Sequence, residues 1–179
     1  MAIRTLQEKY QHELEDIYDA EHQFLKGQEE MLANATDPNV KQMINTHMRQ
    51  TEGHIRNLEQ IFSLMGMRAQ RTTCAGAKGI VTEGQMIMKE TSSVPEIRDA
   101  AILGAASKVE HYEIATYRGL ITGAKMMGQT EVMNFLQKNL AEEEHTANLI
   151  EQSEPTILQK AMGAQGMNTQ GNTIQSQPM

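Results

Sequence analysis

Four glutamates and two histidines interrupt otherwise apolar stripes along this 179-residue chain. Read at three- and four-residue spacing, the first stripe is Tyr10, Leu14, Ile17, Glu21, Phe24, Gln28, Met31 and Ala35. The second is Val40, Ile44, His47, Thr51, His54, Leu58, Ile61 and Met65. Leu103, Ser107, Glu110, Ile114, Tyr117, Ile121 and Ala124 make a third, and Met133, Leu136, Leu140, Glu143, Ala147 and Ile150 a fourth. Each is apolar at its ends and polar near its middle. Glu113, three residues beyond Glu110, shares much of the same helical face. Packed side by side, the four segments bring Glu21, Glu110, Glu113 and Glu143 into one layer, with His47 and His54 a turn either side of Thr51.

Four buried carboxylates cannot all stay ionised without a counter-charge, because desolvation and mutual repulsion penalise the charged forms. Two divalent cations balance four carboxylates to neutrality, and neutral imidazoles complete the coordination. Oxygen ligands with imidazole and no thiolate favour Fe or Mn, with Zn as a substitute, over a structural zinc site. A single polar residue in such a stripe is commonly a hydrogen-bonded core group. Its recurrence at the same level in four segments is what points to metal.

Neighbouring residues are read as bystanders. Glu142-Glu143-Glu144-His145 contains an E-x-x-H spacing, but at about 100° per residue His145 falls far from the stripe through Leu136, Leu140 and Glu143. Glu142, Glu144 and His145 are therefore expected on the outer face, as are His12, His22 and Glu52. Tyr18, Tyr112 and Tyr117 are candidate hydrogen-bond donors around the site. The 14 methionines mostly fill the core of a chain with 4% aromatic residues, and Cys74 has no base in sequence to activate it.

Long helices must position these groups, because helix breakers are few. The first is expected over Thr5–Ala35. Asp37-Pro38 then reads as N-cap and first helical residue of a second that runs to about Met65, with Gly66 ending it. A short helix is expected from Cys74 to about Lys89. Ser93-Val94-Pro95-Glu96 has capping-box spacing and opens a third long helix, which reaches about Met127 before Gly128. Thr130 begins the last, to about Gln152. Residues 1–162 thus make one helical domain, and the uncharged, Gly/Gln/Asn/Ser-rich residues 163–179 a flexible polar tail.

Net charge −7 argues against nucleic acid as a partner. One cysteine excludes an internal disulfide, and no apolar run approaches the roughly 18 residues of a membrane span. The expectation is a soluble, cytoplasmic protein.

Leu14–Leu25 (LEDIYDAEHQFL), Gln50–Glu59 (QTEGHIRNLE) and above all Arg98–Ala115 (RDAAILGAASKVEHYEIA) resemble the YciE/YciF family of ferritin-like bacterial stress proteins. The resemblance spans roughly residues 5 to 152. It implies an all-α, ferritin-like antiparallel four-helix bundle with the short helix in the crossover between helices two and three. It further implies a homodimer and a di-metal site in the bundle centre. Glu21, Glu110, Glu113 and Glu143 match the family's acidic positions. His54 stands where the family often has Gln, and Gln50 where some relatives have Glu, so helix two offers His47, Gln50 or His54. The E-x-x-H of ferritins and manganese catalases is absent from helix two. The function expected is a di-metal protein of the stress response that reacts its centre with O2 or peroxide, or oxidises iron. The alternatives are a stress-induced structural or interaction protein with a non-catalytic metal, and a metal-free helical dimer with protonated core carboxylates.

Overall fold

The computed structural model describes residues 2–171. They form five helices: α1 Leu6–Asn34, α2 Pro38–Leu64, α3 Ala75–Glu90, α4 Pro95–Met126 and α5 Thr130–Gly171. There is no strand among the described residues. None of these helices is long and apolar enough to cross a membrane.

The ends follow from local chemistry. Thr5 and Glu8 close a reciprocal capping box on α1. Asp37 accepts hydrogen bonds from the backbone N–H groups of Asn39 and Val40 in front of Pro38. Gly66 and Gly128, at φ 67° and 69°, reverse the chain after α2 and α4 in a conformation that costs glycine little.

Two boundaries differ from expectation. The Ser93–Glu96 capping box does not form, and Val94 is the N-cap of α4 with no side-chain hydrogen bond. Ser93 is drawn into the turn that ends α3, where the Val94 N–H donates to the Thr91 carbonyl. Pro95 needs no cap for its own nitrogen. The last helix does not stop near Gln152 but continues through Pro155. Burial offsets the hydrogen bond that Pro155 cannot donate: Ile157 packs into a cluster with Met31, Ala35 and Val40. Lys160 also bonds Asp37. The segment expected as a tail is thus helical to Gly171, and its remainder, 172–179, lies outside the described residues.

α4 packs along α5 and α1 along α2, α2 also lies on α5, and α3 spans α1 and α4. Two apolar clusters form. One gathers Tyr10, Leu14, Leu58, Phe62, Tyr117 and Leu136; the other Met31, Val40, Ile44, Leu103, Ile150 and Ile157. α1 and α5 meet the first cluster and then the second, whereas α2 and α4 meet them in reverse. The two pairs therefore run in opposite directions, and the polar middles of the stripes fall between the clusters. Buried acids also fasten the connections. Glu15 takes hydrogen bonds from the Gln70 and Thr72 side chains, and Asp19 from Arg71 and the Cys74 N–H. Asp99 holds the α1–α2 corner through Thr36 and the Asp37 N–H.

Candidate metal centre

All six residues singled out by type and spacing lie in one buried layer, and the most accessible of them, His47, is 5% exposed. They form two groups in which each residue offers an atom within 4.8 Å of the others: His47, Glu110, Glu113 and Glu143; and Glu21, His54 and Glu143. Glu143 belongs to both, and its two oxygens divide between the imidazoles. Oε1 is 2.8 Å from His54 Nδ1, and Oε2 is 3.5 Å from His47 Nε2. His47 Nε2 is also 3.1 Å from Glu110 Oε1, and His54 Nδ1 is 3.6 Å from Glu21 Oε1.

These approaches are close without being hydrogen bonds. Among the described residues, eight of the eleven buried side-chain N and O atoms that lack a hydrogen-bond partner belong to this layer. They are Glu21 Oε2, His47 Nε2, His54 Nδ1, Glu110 Oε2 and both oxygens of Glu113 and Glu143. Leaving so many buried polar atoms unpaired is costly, and their convergence on one volume is how ligands stand around cations. The donor set fits as well: oxygen and imidazole nitrogen, no sulfur, and four acidic groups for two divalent charges. The residues present therefore fit a pair of divalent cations.

Each imidazole is held from behind. His54 Nε2 lies 3.0 Å from Glu142 Oε2 and donates outward to it, which turns Nδ1 toward Glu21 and Glu143. His47 Nδ1 is 3.2 Å from both Gln50 Oε1 and Thr146 Oγ1, which leaves Nε2 as the nitrogen facing the carboxylates. An outer acceptor that fixes tautomer and ring angle is the usual support of a metal-bound histidine. The Tyr117 hydroxyl donates to Glu21 Oε1, and Asn139 Nδ2 donates to Tyr117 at 3.0 Å. Asn57 Nδ2 in turn donates to Asn139 Oδ1 at 2.6 Å.

On the protein's own charges, the layer holds protons tightly. Burial pushes Glu110 up to about 7 and Glu143 up to about 8. Burial, with the charges of Glu143 and Glu21, raises Glu113 well above the carboxylate range. Burial opposes a charge on His54, but Glu21 and Glu143 outweigh it and raise the imidazole to about 11. Protons and cations thus compete for the same places.

Glu142 corrects the reading of the E-x-x-H run. It does not face solvent but turns inward to His54, with its side chain 31% exposed. α5 packs against both α2 and α4, so its inner face is wider than one stripe. For the same reason Asn139 is 0% exposed while the expected Leu140 is only partly buried. Glu144 pairs with Arg118 at the surface, and His12, Glu52 and His145 are exposed. Gln50 Oε1 lies against the outer nitrogen of His47, Nδ1, and so supports that ring from behind. Sequence reasoning missed Asn139, Glu142 and Thr146 as supports. Their signal was a position three or four residues, or a single residue, from Glu143. Of the three tyrosines, Tyr117 joins the site, whereas Tyr18 bonds Glu59 and Tyr112 bonds Asp16 and Cys74.

Comparison with known proteins agrees with this architecture. The family described as Domain of unknown function (DUF892) matches residues 5–163. Protein YciF of Escherichia coli (strain K12) is 31% identical over 147 residues, covering 82% of this chain and 88% of that protein. The crystal structure of the E. coli stress protein YciF superposes with a TM-score of 0.83 at 28% identity, covering 88% of this chain and 99% of that one. YcfI from Rhodopseudomonas palustris gives 0.79 at 33% identity, covering 83% and 94% of the two chains. A Xanthomonas campestris protein, at 20% identity and a TM-score of 0.72 over 90% and 99% of the two chains, shares the fold.

Proposed function

The chain belongs to the DUF892 family, and we propose that it is a stress-response protein with a two-metal carboxylate centre that reacts, when loaded with Fe or Mn, with O2 or peroxide. The observation that carries this reading is the convergence of eight unpartnered ligand atoms on Glu143 and its neighbours. The opposed directions of α1/α5 and α2/α4 support a ferritin-like antiparallel four-helix bundle, with α3 in the crossover. Likeness to a stress protein supports the physiological setting, a cytoplasmic homodimer being the form expected.

The chain's own groups divide the work. Glu21, Glu110, Glu113 and Glu143 supply the negative charge, and Glu143, facing both imidazoles, ties the two halves of the site together. Glu142 holds His54, and Gln50 and Thr146 hold His47, with the inner nitrogens aimed at the carboxylates. Tyr117 fixes the rotamer of Glu21 and, among the described residues, offers the one hydroxyl that bonds a ligand carboxylate. The apolar clusters above and below keep water out, which strengthens every electrostatic interaction within. A pair of redox-active divalent cations supplies electrons and Lewis acidity to an oxidant.

The test is peroxide and O2 consumption by protein loaded with Fe2+ or Mn2+, alongside Glu110→Ala. Turnover that scales with bound metal and disappears in Glu110→Ala, with helicity preserved, supports the reading. A Glu110→Ala protein that keeps its full metal content contradicts the ligand assignment. Burial of the whole layer to 5% exposure or less favours one second reading, in which metal neutralises the core without turnover. Stoichiometric metal with no consumption of either oxidant would select it.

A further inference from the structure

A small cavity lies where α3 crosses α1 and α4. Its walls are Phe24, Gly27, Met31 and Val81, and its inner end is formed by Gln28 and Val109. At about 20 Å³ it has room for one small molecule. At the surface its mouth is bordered by Glu30 and Gln85, joined by a 2.7 Å hydrogen bond between α1 and α3. None of the six layer residues lines the cavity, but those at its inner end stand within one helical turn of them or bond the same helix. Phe24 is one turn from Glu21, and Val109 adjoins Glu110 and stands one turn from Glu113. Gln28 Nε2 donates at 3.1 Å to Thr51, midway between His47 and His54.

The chemistry of the lining selects the occupant. Gln28 is 5% exposed, and its Oε1 is the one buried atom of the lining without a hydrogen-bond partner. Its amide orientation is fixed, because Thr51 donates to the His47 carbonyl and can only accept from Gln28. A water at the inner end would find that single side-chain partner, fewer than the two to four that typically hold buried water, because Glu30 and Gln85 stand at the exposed mouth. Peroxide would likewise shed its hydration for one acceptor. Dioxygen needs none.

We propose that this cavity between α1, α3 and α4 admits dioxygen to the carboxylate layer, an inference that rests on the reading of that layer as oxygen-reactive. Gly27 keeps the space open. A Cβ added there would stand 3.5 Å from Val81 Cγ2, an ordinary contact, so alanine fits, whereas leucine brings three further carbons to a space of about 20 Å³.

The test begins with methyl relaxation of the full chain, supplied with redox-inert Zn2+, under dissolved O2 and under nitrogen. Paramagnetic enhancement is expected to be several-fold larger at the buried Val109 and Met31 methyls than at the equally buried methyls of Ile44 and Ile150. It should shrink in Gly27→Ala and vanish in Gly27→Leu. In the Fe2+-loaded protein, Gly27→Leu should slow O2 consumption several-fold at unchanged metal content. Should the leucine variant fail to fold, the graded loss in Gly27→Ala carries both readouts. Enhancement no greater than at the comparison methyls overturns the proposal, as does O2 consumption unchanged in the filled cavity. Enhancement at the cavity with wild-type Fe2+ protein inert to O2 would sustain the dioxygen site and remove the redox reading of the layer.

Discussion

Glu113 is 1% exposed, and neither of its oxygens has a hydrogen-bond partner. Glu113→Gln keeps the shape and removes the charge. In metal-free protein near pH 7 this should matter little, because burial and the neighbouring acids already favour the uncharged carboxyl. The Gln NH2 would also find unpartnered acceptors in the same layer. The expected change in stability is within about 1 kcal/mol, or about 2–4 °C in Tm for a chain of this size. Metal reverses the comparison. A cation at 100 times its Kd stabilises the folded protein by about 2.7 kcal/mol, so two contribute about 5 kcal/mol, or roughly 10–20 °C. Loss of one anionic ligand should remove at least one cation's share, about 5–11 °C of that rise. The assay is thermal unfolding of both proteins, chelated and with Mn2+ titrated in. Near-equal melting without metal and a widening gap with it is the result expected. An equal deficit for Glu113→Gln under both conditions would refute the reasoning and make Glu113 a structural residue.

Three further outcomes follow from other contacts. Glu142→Ala removes the acceptor behind His54 and should weaken metal binding about 10–100-fold with helicity unchanged, measured by competition against a chromophoric chelator. Burial raises Asp19, but hydrogen bonds from the Cys74 N–H, Gln23 and Arg71 outweigh it and hold its carboxyl below the ordinary 3.8. The stability it contributes is present above that value and lost as pH falls through the lower folded value. Urea midpoints of Asp19→Asn should therefore lie below wild type at pH 6, and the gap should narrow as pH falls below 3.8. Ile157 is 3% exposed although it lies beyond Pro155. Ile157→Ala should cost about 2–4 kcal/mol in urea unfolding, whereas a cost near zero would mean that the end of α5 does not pack.

The layer of acids was legible because a carboxylate in an apolar stripe is rare, and four stripes broke at one level. The supports were not, because they look like surface residues. Asn139 sits beside the more apolar Leu140, and Glu142 stands in a run of three glutamates whose wheel position suggested solvent. A helix wedged between two partners buries a broad face, and a one-residue-wide stripe cannot show that. Pro155 misled for a different reason. Local propensity ends a helix there, while Ile157 and the Lys160–Asp37 contact, both tertiary, carry it on. Ser93 and Glu96 had the right spacing for a cap, but the turn closing α3 claimed Ser93 first.

The most direct measurement is metal per chain, by inductively coupled plasma mass spectrometry, on protein purified without a metal-affinity column and again after anaerobic reconstitution with Fe2+ or Mn2+. Two ions per chain is the result this account predicts, falling in Glu110→Ala and Glu143→Ala. Protein that arrives without metal and takes up neither ion on reconstitution would contradict it, and the layer would then be a network of protonated carboxyls and histidines.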